Sequence, residues 1–297
     1  MSAPNASSSA SPRLWAVALA LAAVYVVWGS TYLGIRFALE GYPPFLLGAI
    51  RMALAGTLMY AFLRWRGVPA PTRSQWKQLW WLSIFMVLLS NGLVNVAEQE
   101  VSSGMAAVAV ASMPLWAALF AFLRGERPRR NEWVGLALGF AGVLWLNAGT
   151  DLAATPTGMI ALLIAPVAWA WGSIWSRGRD LPTPFMSAAG QMLTGGAWML
   201  GAALVTGERL TDWPPLDATL ALGYLVTFGS IIGFTAYIWL LHHVRPALAT
   251  SYAYVNPPIA VLFGVLLAGE AFSLHELAAM GVILAGVAII TLSRTKR

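Results

Sequence analysis

Cysteine is absent from the 297-residue chain, so neither disulfide bonds nor thiolate metal sites are available to it. Histidine is nearly absent: His242, His243 and His275 are all there is, which argues against a dedicated metal site. Charge is scarce as well. Charged residues make up 10% of the chain and apolar ones 59%, at a mean hydropathy of +0.69, against roughly 25% charged in soluble domains. A water-soluble fold could not hide that much apolar surface. No Gly-Lys-Ser/Thr phosphate loop occurs, so no nucleotide partner and no ATP-driven work by this chain alone is expected. A membrane enzyme would need His, Asp or Glu clustered at one membrane face, and the only adjacent titratable pair of interest is His242-His243. No ring of charge or filter-like repeat marks a channel. The formal charge of +6 could suggest nucleic acid, but the basic residues lie in short loops between apolar runs, so no nucleic-acid partner is expected.

What is present is apolar sequence in long windows. Crossing a hydrocarbon core of about 30 Å takes about 20 mostly apolar residues, so ten spans would use about 200 positions and leave no room for a second soluble domain. Breaks at charge, Gly or Pro place spans near 14–35, 45–63, 79–97, 101–123, 132–149, 157–176, 184–206, 217–241, 247–268 and 274–292. The polar, Ser- and Ala-rich start of the chain, 1–13, reads as a disordered cytoplasmic segment. Leu14 to Ile35 is too long for a signal-peptide apolar region and is followed by further spans, so it reads as a retained first helix. With a cytoplasmic N-terminus, all of the 18 basic residues except Arg36, Arg51 and Arg209 fall in inner segments. The positive-inside rule then puts both termini, including the 293–297 tail, in the cytoplasm of a multi-pass inner-membrane protein. Trp15, Trp65, Trp76, Trp80, Trp81, Trp133 and Trp213 lie near span ends, where an indole suits the headgroup region.

The halves 14–149 and 157–292 overlay with an offset near 140 to 144 residues. Trp28-Gly29-Ser30 matches Trp171-Gly172-Ser173, Phe45 and Met52 match Phe185 and Met192, and Pro114 with Gly125-Glu126 matches Pro258 with Gly269-Glu270. Five spans per half is an odd number, so the second half starts on the opposite side of the membrane. Equivalent loops swap charge accordingly: Arg64, Arg66, Arg73 and Lys77 give way to Glu208, Arg209, Asp212 and Asp217. The expected fold is therefore all-α and integral to the membrane, ten transmembrane helices forming two inverted-topology five-helix repeats around a central cavity. Inverted repeats are the architecture of alternating-access transporters, with the site near the midplane between the halves.

From the Trp28-Gly29-Ser30-Thr31-Tyr32 signature, through Arg51, to the Gly125-Glu126 and Gly269-Glu270 pairs, the chain resembles the drug/metabolite transporter superfamily, specifically its ten-helix EamA family. The resemblance implies export of amino acids or related metabolites from a bacterial cytoplasm. The intramembrane aromatics look like those of YddG-type aromatic amino-acid exporters.

Candidate substrate-binding residues follow from polar and aromatic side chains inside spans. Asn91, Asn95 and Gln99 stack at i, i+4, i+8 on the third helix and suit a polar cavity or interhelical amide bonding. Trp28 and Tyr32 mark the first helix, Trp116 the fourth, Trp169 and Trp171 with Ser173 the sixth. Thr227, Ser230, Phe234 and Tyr237 form a stripe on the eighth, and Tyr252 with Asn256 on the ninth. Such walls suit a flat apolar substrate with polar ends, or a lipophilic cation such as a drug, and need no cofactor. Pro114, and Pro257 with Pro258, read as paired helix breaks beside that site. Arg51 lies about two turns inside the second helix and either holds a substrate carboxylate, pairs structurally or snorkels. Gly135, Gly139 and Gly142, and Ala278, Gly281 and Ala285, read as close-contact stripes between helices. Finally, Glu98, Glu100, Glu126, Glu132, Glu270 and Glu276 all fall at span ends. With no acid at mid-membrane to carry a proton, the pattern predicts facilitated diffusion rather than obligatory proton antiport.

Overall fold

A computed structural model of the chain describes residues 14–99, 110–127, 129–146, 156–259 and 274–292. The 1–13 and 293–297 segments, Glu100 and the Gly269-Glu270 pair lie outside these residues, as do parts of the fourth and ninth expected spans. Every regular element among the described residues is helical. The helices are α1 (Leu14–Leu39), α2 (Pro44–Trp65), α3 (Arg73–Ala97), α4 (Met113–Leu123), α5 (Arg130–Leu146), α6 (Pro156–Ser176), α7 (Pro184–Thr206), α8 (Leu216–His243), α9 (Pro246–Ala249, resuming at 252–259) and α10 (Leu274–Leu292). Of these, α1, α2, α3, α6, α7 and α8 are long and apolar enough to cross a bilayer on their own. Large apolar side chains such as Leu19, Leu58, Phe62 and Leu163 stand exposed on the outer faces, where lipid rather than water suits them.

The helices start and stop where local chemistry dictates. Thr72 and Gln75 cap α3 reciprocally, the Thr72 side chain accepting from the Gln75 N–H and the Gln75 side chain accepting from the Thr72 N–H. This extends the third helix back to Arg73, six residues before its apolar part. Pro44 and Pro184 open α2 and α7 in the first turn, where a missing N–H costs nothing. Gly207, at φ +74°, closes α7 in the left-handed conformation that glycine adopts without penalty.

Packing joins the two halves. α2 runs against α7, where a Cβ on Gly196 would sit 3.0 Å from the Ala53 nitrogen. α5 runs against α10, where a Cβ on Gly286 would come within 2.7 Å of the Gly139 nitrogen and one on Gly135 within 2.7 Å of the Gly286 carbonyl. Such contact is how membrane helices gain dispersion energy without a hydrophobic driving force. The expected α5 stripe of Gly135, Gly139 and Gly142 makes this contact. The expected α10 stripe does not: Ala278, Gly281 and Ala285 are exposed, and the buried face runs through Ala279, Ile283, Gly286 and Ile290.

α3 and α8 share a rarer feature. Each widens to π-helical turns, over Ile84–Gly92 in α3 and Leu225–Phe234 in α8, at equivalent places in the two halves. A π turn shifts the phase of every residue after it and frees carbonyls for side chains, and such segments gather at functional sites. Asn91 donates to the Met86 carbonyl at 2.9 Å in the first, and Trp28 donates to the Gly229 carbonyl at 2.9 Å in the second.

Candidate functional site

Between α1, α2, α3, α6 and α9 lies an open cavity of about 80 Å³. Within a half-apolar bundle its wall is notably polar: Thr31, Tyr32, Arg51, Ser90, Asn91 and Asn256 line it beside Trp28, Trp169 and Tyr252. Pro166 and Met113 complete the side facing α4 and α6. The lining lies toward the C-terminal ends of α1 and α3 and the N-terminal end of α2, so it occupies one half of the bundle's depth.

The floor is a cluster of aromatic rings drawn from four helices. Trp28 of α1 meets Tyr252 of α9 edge-on at 4.6 Å and Trp169 of α6 edge-on at 5.5 Å, lies tilted against Tyr237 of α8 at 5.3 Å, and Tyr237 meets Tyr252 edge-on at 5.5 Å. Edge-on pairs of this kind add about 0.5–1.5 kcal/mol beyond area burial. Trp28 reaches its place because α8 presents glycine: a Cβ on Gly233 would lie 2.4 Å from the Trp28 Nε1. Tyr237 is fully buried and donates to the Ser173 hydroxyl at 2.7 Å, which in turn donates to the Trp169 carbonyl at 2.7 Å.

Arg51 is 4% exposed, and its Nε donates to the Ser230 hydroxyl at 2.8 Å in the π segment of α8. α8 passes close by: a Cβ on Gly229 would lie 2.9 Å from Nη2 and 3.0 Å from the Thr31 methyl. A buried guanidinium with one neutral acceptor keeps most of its donors for something else. Two buried atoms on the wall have no hydrogen-bond partner, the Trp169 Nε1 donor and the Asn256 Oδ1 acceptor. Buried polar groups are rarely left so.

Not every expected site residue comes to this cavity. Trp28, Tyr32, Asn91, Trp169, Tyr252 and Asn256 line it, and Tyr237 supports it from below. Asn95 is buried behind the wall, its amide donating to the Pro44 carbonyl at 3.0 Å, while Gln99 is exposed. The π turn before them breaks the i, i+4, i+8 stripe. Trp116 and Trp171 stand on the outer surface, both packed against Phe120. Trp169 and Trp171 are two residues apart, about 200° around a helix, so one points away when the other points in. On α4 the buried face runs through Met113, Ala117 and Ala121, which turns Trp116 outward.

The helix breaks also shift. Pro114 lies in the first turn of α4, after an interruption at Ser112, rather than in mid-helix. Pro257 and Pro258 are buried inside 252–259, and the break in α9 falls earlier, at Thr250–Ser251. Pro166, inside α6 and on the cavity wall, went unread although a mid-span proline is itself a signal. So did Glu98. It follows the last residue of α3, yet both its carboxylate oxygens are buried and neither has a hydrogen-bond partner.

The end of the bundle opposite the cavity is closed by charge. Arg124 donates to the Ile174 and Arg177 carbonyls, and Arg177 donates to the Leu241 and Val244 carbonyls at 3.0 Å each. Arg177 also pairs with Glu126 at 3.6 Å, and Arg245 holds the buried Glu132 carboxylate, with one contact at 2.8 Å. Most of these contacts tie one half of the chain to the other.

Comparison with known proteins agrees with this architecture. The EamA-like transporter family matches the chain twice, over residues 14–148 and 156–292, one copy in each half. The chain is 44% identical over 276 residues, 93% of its length and 90% of the other's, to YedA of Escherichia coli (strain K12), described as an uncharacterized inner membrane transporter. It is 26% identical to the chloroplastic WAT1-related protein At3g02690 of Arabidopsis thaliana, over 90% of this chain and 67% of that one. A solved crystal structure of 24% identity superposes with a TM-score of 0.81, over 95% of this chain and 100% of the other, and so shares the fold. The chain belongs to the EamA-like transporter family.

Proposed function

We propose that this transporter moves small metabolites, amino acids with aromatic side chains among them, out of the cytoplasm by alternating access at the cavity beside Arg51. The observation that carries the reading is that one cavity joins a buried guanidinium to a wall of aromatic rings. A guanidinium binds a carboxylate bidentately, and an aromatic wall accepts a flat apolar side chain. Together they suit a carboxylate-bearing molecule with an apolar body. Efflux of a lipophilic cation fits the rings but not the fixed positive charge at their edge.

The inverted relation of the halves is part of this proposal. Equivalent helices make equivalent contacts, α1 with α8 as α6 with α3, and π segments recur in α3 and α8. With the charge-rich end in the cytoplasm, as the loop basic residues imply, the described state is open outward and sealed inward. The location named for the Escherichia coli relative supports an inner-membrane setting.

Counterflow in proteoliposomes tests the substrate class. Labelled aromatic amino acids should exchange across the membrane and cationic dyes should not; dye exchange with no amino-acid exchange would replace this reading by drug efflux, and failure of both would remove it. Orientation is tested in the same Cys-free chain by Ser74→Cys and Thr211→Cys, both at exposed positions. On intact cells an impermeant maleimide should label the second and spare the first, and the reverse result inverts the topology.

A further inference from the structure

By sequence Glu98 is an acid at the outer end of a span, where carboxylates are ordinarily solvated. The structure buries both its oxygens and leaves them without a partner. Asn91, Val94 and Glu98 follow i, i+3, i+7 along α3, one helix face, and the first two line the cavity. Glu98 therefore continues the cavity-lining stripe one turn beyond Val94.

Among the described residues the charged and titratable groups around it are few. From α2 the Arg51 guanidinium acts on the carboxyl, and from α1 the Tyr32 phenol lies within its field. α6, which packs against this end of α3, carries no titratable side chain between Pro156 and Ser176. On α3 itself the nearest are Arg73 and Lys77, at the far end of the helix. Among the described residues no ion pair holds Glu98.

An ionised carboxylate shut away from water without hydrogen bonds is strongly disfavoured, and the remedy open to it is to take up a proton. The empty cavity then holds one charge, that of Arg51. An anion would satisfy Arg51 and leave Glu98 neutral. A zwitterion does more, because its carboxylate pairs with Arg51 while its ammonium group can pair with an ionised Glu98, leaving no charge in the site unmatched. Resting on the transport reading above, we propose that Glu98 is the cation-binding end of the site, which holds a proton when the cavity is empty and releases it when a substrate ammonium group arrives. Proton and ammonium compete for one carboxylate, so each conformational cycle exchanges them. Facing the cytoplasm, Glu98 gives its proton to water and pairs with the amino acid; facing outward, the amino acid leaves and a proton from the outer solution replaces it. One proton enters for each zwitterion exported, so the inward proton gradient drives export. This departs from the facilitated diffusion that acids confined to span ends predict.

The experiment uses the full-length protein in proteoliposomes loaded with labelled L-phenylalanine and a trapped pH-sensitive dye. Downhill phenylalanine efflux should carry protons inward one for one, and apparent phenylalanine affinity should fall about tenfold per pH unit in the range where Glu98 becomes protonated. Glu98→Gln should abolish the proton movement and lower phenylalanine affinity about tenfold or more, while binding of 3-phenylpropionate, which lacks the ammonium group, should not fall. Glu98→Asp, which keeps the acid, should keep the coupling. Phenylalanine efflux without proton entry in the wild-type protein overturns the proposal while leaving the transport reading standing, and so does wild-type coupling in Glu98→Gln. Absence of phenylalanine movement in the wild-type protein overturns both.

Discussion

The triplets Trp28-Gly29-Ser30 and Trp171-Gly172-Ser173 hold equivalent places in the two halves, yet only part of each does the same work. Both glycines let a neighbouring helix approach: a Cβ on Gly29 would lie 2.4 Å from Ile259, and one on Gly172 2.6 Å from Met86. Both serines bond a tyrosine of α8, Ser30 to Tyr224 and Ser173 to Tyr237. The tryptophans part company, Trp28 being 8% exposed and Trp171 42%. The difference lies in what the opposing helix offers. Gly233 of α8 leaves a slot that Trp28 fills, whereas its counterpart Gly92 of α3 is already covered by Phe45, 3.1 Å from where a Cβ would stand. Duplication has kept the close backbone approaches, which any pair of packed helices needs, and let the site itself become one-sided. Arg51 and its counterpart Gln191 differ in the same sense. The first faces the cavity, while the second is buried with its amide oxygen unpartnered.

The largest effect expected from breaking this asymmetry is at Arg51. Replacing it by Gln removes a charge-assisted contact to a substrate carboxylate worth about 1.5–3 kcal/mol, about tenfold to a hundredfold in apparent affinity. Gln191→Leu should leave counterflow unchanged, and equal effects at the two positions would show that the carboxylate is held elsewhere. Next comes Gly233→Ala, whose Cβ would press on the Trp28 ring, an overpacking cost of about 1–3 kcal/mol that should displace the indole and slow exchange about tenfold. Gly92→Ala meets the Phe45 ring at a longer distance and should be milder; if it proves the harsher, the slot on α8 is not what seats Trp28. The smallest contrast is Trp28→Ala against Trp171→Ala. Losing the edge-on stack costs about 0.5–1.5 kcal/mol, so affinity falls by up to about tenfold. Removing Trp171 from the outer surface should change nothing at matched expression, and a loss there would return it to the substrate path.

Much of the cavity is legible in the sequence, for reasons that differ residue by residue. Trp28, Tyr32, Asn91, Trp169, Tyr252 and Asn256 stood out because polar and aromatic groups deep in apolar spans need a reason to be there, and the cavity supplies it. Asn95 fitted the same pattern but serves the alternative role, joining α3 to the start of α2. Trp116 and Trp171 were indistinguishable from their inward neighbours by depth alone, since depth does not say which face of a helix meets protein and which meets lipid. Glu98 was misjudged for the opposite reason: its place at a span end implied water, and burial by neighbouring helices removed it.

Sequence by itself determined that the chain is an all-helical membrane protein and that it is built as two related halves. Those properties are local, because the hydrocarbon core demands about 20 apolar residues per crossing wherever they occur and a duplicated order of residues can be read directly. Only the tertiary structure decided which side chains share the cavity, which carboxyl loses its water and which end of the bundle is shut. Each of these depends on the rotation of one helix against another. The π turns in α3 and α8 alter that rotation partway along, by the choice of one hydrogen-bond register over another, which no pattern of apolar residues records.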